Sequence, residues 1–229
     1  MQDQNFILEF DQAQLTPRPG QAPLAAVTLQ LRAGEIVIVR VEPGNEQLPL
    51  ADAALGLETP ARGRVLFQDA DWRTVAAEQA LRLRARIGRV FDRDGWVSNL
   101  DILENITLAQ RHHTRRPVAE IAAEAQTLAR QFGLPAVPPG RPAAVPHRDL
   151  RRAEWARAWM GRPDLVCLER PGRGVATEHI ARLAAGVRQV CARGGAALWL
   201  TDDDREIQAL DGENNVRHYQ MQGAAMMKV

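Results

Sequence analysis

Little in this chain is in excess, and several things are scarce. Among 229 residues there are two cysteines, Cys167 and Cys191, and a single tyrosine. Two cysteines make no disulfide framework. Cys167 lies inside an apolar run and Cys191 in a helical pattern, so both read as buried thiols in a reducing compartment. A surplus of either charge is missing too: 29 basic residues against 28 acidic ones leave a net charge of +1. That balance does not demand nucleic acid or an anionic membrane as partner. No run approaches the roughly 18 apolar residues of a membrane span. The polar start, Met1–Asn5, lacks the basic segment and apolar core of a signal peptide. A membrane role would therefore come through a partner, without direct insertion.

What is present fits a soluble globular protein: 45% hydrophobic and 25% charged residues. The length suits one large domain or two small ones. Phe6–Phe10 and Ala26–Leu31 alternate apolar and polar residues, as half-buried strands do. Between them, Thr16–Pro23 holds three prolines and a glycine and reads as a loop. After a turn at Ala33-Gly34, the β-branched run Glu35–Val41 suits a strand buried on both faces. A loop at Glu42–Pro49 comes next, then a short helix over Leu50–Leu57 closing at Gly56. Gly63–Phe67 is a strand, Ala76–Arg86 a helix and Ile87–Phe91 a strand.

The middle is helical. Leu100–Gln110 and Val118–Phe132 carry helical periodicity, with Arg111–Pro117 as a link and Gly133 as a stop. Pro135–Pro146 has five prolines in twelve residues and reads as a stiff irregular crossing. Asp149–Met160 is helical again. Strand, helix and strand then come in turn at Leu165–Leu168, Glu178–Arg193 and Ala196–Thr201. A short helix at Asp204–Leu210 and a last strand at Val216–Met221 precede a loosely ordered tail, Gly223–Val229. Strand–helix alternation at both ends, with helices between, implies a parallel-rich α/β core with an inserted helical lobe.

Several framework pieces, in order, resemble the ATP-binding subunit of ABC transporters. Gly34-Glu35-Ile36-Val37 resembles the strand before that family's phosphate loop. Leu55-Gly56-Leu57 with Gly63–Phe67 resembles the segment after that loop. Ile87–Phe91 and Asn99–Ile106 resemble the family's "IG.VFQ" and "NLTVLENI". Arg152–Ala158, Pro163 and Leu165–Pro171 resemble its "R…ARAL…P.LLLLDEP". The resemblance covers nearly the whole chain. It implies a P-loop NTPase core of the RecA-like, ABC ATPase type with a parallel-rich sheet, an N-terminal antiparallel β part and an inserted helical subdomain. Residues 1–92 and 162–229 would form the core and 93–161 the helical subdomain.

The positions that carry the family's chemistry depart from its pattern. A working phosphate loop wraps phosphates in backbone N–H groups, with a lysine on the β/γ-phosphates and a hydroxyl on magnesium. Counting from Gly34 and Gly56, that loop falls on Val41–Pro49. Val41 and Glu46 take glycine places, Gln47 the lysine place and Leu48 the hydroxyl place; Gly44 alone is kept. At ~5 Å and an effective dielectric of ~20, Glu46 would repel a phosphate by roughly 3 kcal/mol, and the missing lysine forfeits a similar attraction. Pro49 removes an N–H donor where a helix start would help hold an anion.

The remaining family positions depart as well. Asp92 takes the Q-loop glutamine place. Pro146, His147, Arg148 and Asp149 lie in the signature, with Arg148 expected in solvent. Glu169 keeps a carboxylate at the magnesium-side place. Arg170 stands where the catalytic glutamate would be and cannot act as a base, because guanidinium stays protonated. Asp202 takes the switch-histidine place. These readings imply no catalytic set, no bound cofactor and no metal. A weak or unconventional ATPase is the alternative, with ATP and magnesium held through Glu169 and with Arg40 or Arg170 replacing the lysine.

His112-His113 lack partner ligands at zinc spacing and read as solvated. Asp202–Asp204 reads as a capping turn for the helix at Glu206.

In the resembled family two subunits sandwich each nucleotide between one phosphate loop and the other's signature. Here both halves depart, so neither a homodimer nor a heterodimer with an intact partner would complete a site. The resemblance then implies a pseudo-ATPase acting as a structural or regulatory module. Its partners would be a membrane permease or a second ABC ATPase, with a homodimer as an option, and it would sit on the cytoplasmic face of the plasma membrane. The docking segment would be Asp92–Leu100, with Trp96, Val97 and Asn99 against the partner. Burial of Trp96 inside the helical lobe is the competing expectation.

Overall fold

A computed structural model describes residues 6–16, 25–41, 49–93, 95–222 and 225–229. Among them the strands form two sheets. The first is antiparallel, in the order β2-β1-β4-β5: β1 (Phe6–Gln14), β2 (Val27–Arg32), β4 (Arg62–Phe67) and β5 (Ala70–Asp71). The second has the order β10-β9-β3-β8-β7-β6. In it β3 (Ile36–Arg40), β6 (Ile87–Val90), β7 (Leu165–Glu169), β8 (Ala196–Thr201) and β9 (Val216–Gln222) run parallel, and β10 (Ala225–Lys228) closes the edge antiparallel to β9.

The second sheet is apolar on both faces, which is why its strands read as unbroken β-branched runs. Val37 and Val39 of β3 face the first sheet and α1 (Leu50–Ala54). Ile36 and Ile38 face a helical layer on the other side. The same alternation splits Leu165 and Cys167 from Val166 and Leu168 in β7. That layer contains α3 (Ile102–His113), α4 (Val118–Gln131), α5 (His147–Trp159) and α6 (Thr177–Ala192). Phe132, Trp155 and Trp159 meet edge to face within it, at 5.8 and 5.1 Å between ring centroids. Full burial of each such large apolar side chain contributes about 1.5–3 kcal/mol or more. Two short helices, α2 (Ala77–Arg84) and α7 (Asp204–Gln208), and a 3-10 turn at Pro142–Ala144 complete the described fold.

Gly88 sets how closely α5 approaches the sheet. A Cβ there would stand 1.9 Å from the Ala158 carbonyl oxygen. The helix therefore lies directly on β6, and its polar face reaches the strand ends.

Three expectations are corrected. The helix expected to end at Gln110 runs on to His113, so the link starts at Thr114. Arg111, His112 and His113 are favourable against the negative end of a helix dipole, and the break comes before Pro117. The helix placed at Asp149 begins at His147, one residue after Pro146, whose φ is already helical. The tail read as loose pairs in register with β9 over Ala225–Lys228. Its Met-Met pair carried no alternation, and strand pairing supplies what local pattern does not. The expected loop at 16–23 lies outside the described residues except for Thr16. Among the described residues, no helix is long and apolar enough to cross a membrane.

Candidate functional site

Parallel strands β6, β7 and β8 end along one edge of the sheet. In open α/β sheets that carboxyl edge is where ligands bind. Here the edge carries Asp92, Glu169, Arg170 and Asp202, and the structure brings all four together.

Arg170 follows β7 with its side chain only 4% exposed. Its Nε lies 3.1 Å from Asp202 Oδ2, and its Nη1 lies 3.8 Å from Asp92 Oδ2. The backbone there has φ +43°, a left-handed conformation that costs a non-glycine residue about 1–2 kcal/mol. Arg170 N–H donates to the Leu200 carbonyl at 2.8 Å, fixing that turn against β8. Asp92 also meets Arg173 Nη1 at 3.0 Å.

Glu169 is taken by a second arginine. Arg89 of β6 lies on the same sheet face, and its Nε and Nη2 both stand 2.9 Å from Glu169 Oε2. Its Nη1 donates to Asp52 of α1 at 2.6 Å. The guanidinium also lies 4.4 Å from the Phe91 ring centroid. Burial raises the Glu169 carboxyl above its ordinary value; Arg89 pulls it back, while Asp52 and Asp92 add to the rise. Burial lowers the Arg89 guanidinium, yet Glu169 and Asp52 outweigh it and hold the group above its ordinary value. The edge thus holds two ion-paired groups, Asp52–Arg89–Glu169 and Arg173–Asp92–Arg170–Asp202.

Helix α5 organises the loop beyond β6. Arg151, Glu154 and Arg157 recur every three residues and share one helical face. Arg151 donates to the carbonyls of Phe91, Asp92, Glu169 and Arg170. Glu154 accepts from Phe91 N–H at 3.0 Å and from Arg151 at 2.8 Å. Arg157 donates to Glu154 at 3.0 Å and to the Gly95 carbonyl. Below the edge, buried Glu206 accepts from Trp199 Nε1 at 2.7 Å and from Gly172 N–H at 2.6 Å. Burial raises its carboxyl above the ordinary value, and those hydrogen bonds oppose the rise. A Cβ on Gly172 would stand 2.4 Å from Glu206 Oε1, so only glycine permits this approach.

The loop from Asp92 to Leu100 borders two grooves. One, of about 560 Å³, is lined by Asp92, Trp96, His147, Leu150, Arg151 and Arg173 among others. The other, of about 340 Å³, lies between β6 and α3 and includes Ile87, Phe91, Val97, Ile106, Ala109 and Met160. Trp96 is half-buried in the first and carries the Arg157 guanidinium 4.7 Å from its ring centroid. Val97 is 43% exposed and lines the second.

The fold has counterparts among known structures. A dimeric bacterial ABC transporter cassette superposes with a TM-score of 0.84 at 16% identity, over 96% of this chain and 98% of that one. The cbiO1 subunit of an ABC transporter complex from Clostridium perfringens gives 0.75 at 16% identity, over 97% and 87%. The fold is that of an ABC ATPase cassette. In sequence, the chain is 28% identical over 191 residues to a sulfate/thiosulfate import ATP-binding protein of Rhizobium meliloti, covering 82% of this chain and 54% of that protein. It is 26% identical over 190 residues to the octopine permease ATP-binding protein P of the same species, covering 79% and 72%. A methionine import ATP-binding protein of Caulobacter vibrioides matches at 27% over 74% of this chain and 52% of its own length. The chain is thus related to ABC transporter ATP-binding subunits, and it spans about half the length of the sulfate and methionine import proteins. No protein-family profile matches it.

In the cassette, Gly44, Glu46, Gln47 and Leu48 of the expected phosphate loop lie outside the described residues. Val41 is buried, with its N–H on the Thr201 carbonyl at 2.9 Å, and Pro49 caps α1. Pro146 caps α5, and His147, Arg148 and Asp149 form its first turn. Arg148 extends into solvent, while Asp149 pairs with Arg152 at 2.6 Å. Arg40, at the end of β3 beside Thr201, pairs with Asp204. The proposed docking residues are separated: Trp96 and Val97 line different grooves, and exposed Asn99 lines neither. His112 and His113 are exposed, and among the described residues no group of three or more His, Cys, Asp or Glu side chains could hold a metal ion.

Sequence reasoning missed Arg89, Asp52, Arg151, Glu154 and Arg173. The signal for Arg89 was present: one charged residue inside the apolar strand Ile87–Phe91, on a sheet apolar on both faces, requires an acidic partner on the neighbouring strand.

Proposed function

We propose that this cassette is an ABC-transporter ATP-binding-subunit-like module that does not hydrolyse ATP and serves as a structural or regulatory partner. The observation that carries the reading is Arg170, set between Asp92 and Asp202 where the family pattern places the catalytic base. Arg89 occupies Glu169 in the same way. A magnesium–nucleotide needs a carboxylate free to face the metal and a base to orient water. The residues at this edge fit that pair poorly, because Glu169 is already held by Arg89 and the family's base position carries a guanidinium. Gln47 and Glu46, in place of lysine and glycine, point the same way.

The expected partners are a membrane permease and a second ABC ATPase subunit, or another copy of this chain, with the cassette peripheral at the cytoplasmic membrane face. In that reading residues 1–92 and 162–229 are the core and 93–161 the helical subdomain. The groove between β6 and α3 receives the partner, with exposed Val97 at its rim and apolar Ile106 and Met160 inside.

A second reading, weak ATP binding, draws on the names of the relatives, which are import ATP-binding proteins. Two measurements on the purified chain separate the readings. Calorimetry with magnesium-ATP is expected to show no micromolar binding, and a phosphate-release assay no turnover. Micromolar binding left unchanged by Glu46→Gly with Gln47→Lys would overturn the proposal. So would turnover that disappears in Arg170→Ala.

A further inference from the structure

We propose that the basic corner formed by Arg111, Arg115, Arg116 and Arg162, with Val118 exposed beside it, is a contact surface for the anionic phosphate headgroups of a lipid bilayer. The corner lies where α3 ends, the link to α4 turns and the chain leaves α5. Two close approaches assemble it. The Gln110 side chain packs on Gly161, where a Cβ would stand 2.0 Å from Gln110 Nε2, and this sets Arg111 and Arg162 at one turn. Glu124 of α4 accepts from the Gly161 N–H at 2.9 Å and pairs with Arg116, pinning the link to the same place.

Positive charge is in excess there. Arg111, Arg115 and Arg162 are exposed, and among the described residues none of the three has an acidic partner. Of the acids on the surrounding turns, Glu124 is taken up by Arg116 and Asp164 by Arg86, which leaves exposed Glu120. Burial, and then the nearby Arg162, hold the Arg193 guanidinium below its ordinary value, with Asp164 opposing. Arg111 answers the helix dipole at the end of α3. Arg115 and Arg162 lie outside the helices and answer none. Clusters of this size are drawn to anionic leaflets, each arginine contributing about fivefold in affinity.

Three observations select a bilayer over other polyanions. Val118, 62% exposed, directly follows Arg115-Arg116-Pro117, and an apolar side chain among cations suits the boundary between headgroups and acyl chains. No Phe, Tyr or Trp stands in residues 108–118 or 161–163, so the stacking platform of a single-stranded nucleic-acid site is missing. Gln110 lines the β6–α3 groove, so the corner borders the surface assigned above to a permease. Only this third point, that corner and groove face the membrane together, rests on the function proposed above.

The test is flotation of the intact chain with vesicles of phosphatidylcholine alone, or of phosphatidylcholine with about a third phosphatidylglycerol, without nucleotide or permease. Binding is expected to the anionic vesicles alone, and to be lost between about 0.05 and about 0.5 M salt. Arg111→Gln with Arg115→Gln should weaken it about twentyfold or more, and Val118→Ser about threefold. Arg62→Gln with Arg182→Gln removes the same charge from exposed positions elsewhere and should leave binding unchanged. Thermal melts establish that each variant is folded. The proposal is overturned by equal binding to both vesicles, by no flotation at low salt, or by equal losses in the two double variants. It is also overturned if a single-stranded oligonucleotide at matched phosphate concentration strips the chain from the vesicles, which would assign the corner to nucleic acid. Because no nucleotide triphosphate enters the assay, failure here leaves the non-hydrolysing reading standing, and ATP turnover would leave this surface standing.

Discussion

The Arg170 guanidinium lies 3.1 Å from the Asp202 carboxylate, joining the end of β7 to the end of β8 with a buried cation. A pair of this kind is strongly felt when one partner is removed, because the other is left without compensation. Asp202 is 37% exposed, which tempers the cost. Arg170→Ala is expected to lower stability by about 2–4 kcal/mol in urea unfolding. Arg170→Gly should lose roughly 1 kcal/mol less than Arg170→Ala, because glycine accepts the positive φ without strain. Equal losses would show that the turn is not strained.

Arg89 and Glu169 make a separable case. Arg89→Leu strands buried Glu169 beside Asp52 and Asp92 and should cost about 3–5 kcal/mol. Arg89→Leu combined with Glu169→Leu should recover much of that loss, since a buried ion pair replaced by packed apolar groups is often neutral. A double-mutant cycle from denaturant midpoints measures the coupling.

His179 at the start of α6 predicts a pH dependence. Burial lowers its pKa first, and the Arg152 cation 3.3 Å away lowers it further; Arg182 adds to this, while Glu178 and Asp149 oppose it. The folded protein therefore holds the proton less well than the unfolded chain. The contribution is complete above the unfolded value of about 6.5 and is lost as pH falls through the folded value. The urea midpoint should fall between about pH 7 and about pH 5, and His179→Asn should flatten that slope. An unchanged slope in the variant would remove His179 as the cause.

Both thiols should be silent in the folded protein. Burial pushes Cys167 and Cys191 up to about 12. At about pH 8 the thiolate fraction is then roughly a thousandfold below that of a free cysteine. Iodoacetamide labelling, read by mass spectrometry, should appear only on unfolding.

The sheet was legible because its physics is local. Ile36–Val39 and Leu165–Leu168 are apolar on both pleat faces, and such runs need no partner to be recognised. The edge network was legible only one residue at a time. Asp92, Arg170 and Asp202 each stood out as departures from a pattern, but their pairing depends on the parallel register that places Leu168 beside Trp199. Arg89 and Glu169 are eighty residues apart, and only the sheet makes them neighbours. The two-groove arrangement was not legible, because adjacent loop residues Trp96 and Val97 turn to opposite sides of a backbone held by Arg151 and Arg157. The partner-facing role assigned jointly to Trp96, Val97 and Asn99 had no such geometry to draw on.

The alternation of acids and arginines along the strand edge also fixes the order in which this surface can change. Replacing Arg170 with glutamate alone would crowd a new carboxylate against Asp92, Asp202 and Glu169, with only Arg89 and Arg173 left to offset five negative groups, Asp52 included. Asp92 and Asp202 must change first, and each of those steps leaves Arg170 buried with one partner fewer. Each of these steps away from the present arrangement therefore begins uphill. The edge behaves as a ratchet: its interlocked charges resist being exchanged one at a time.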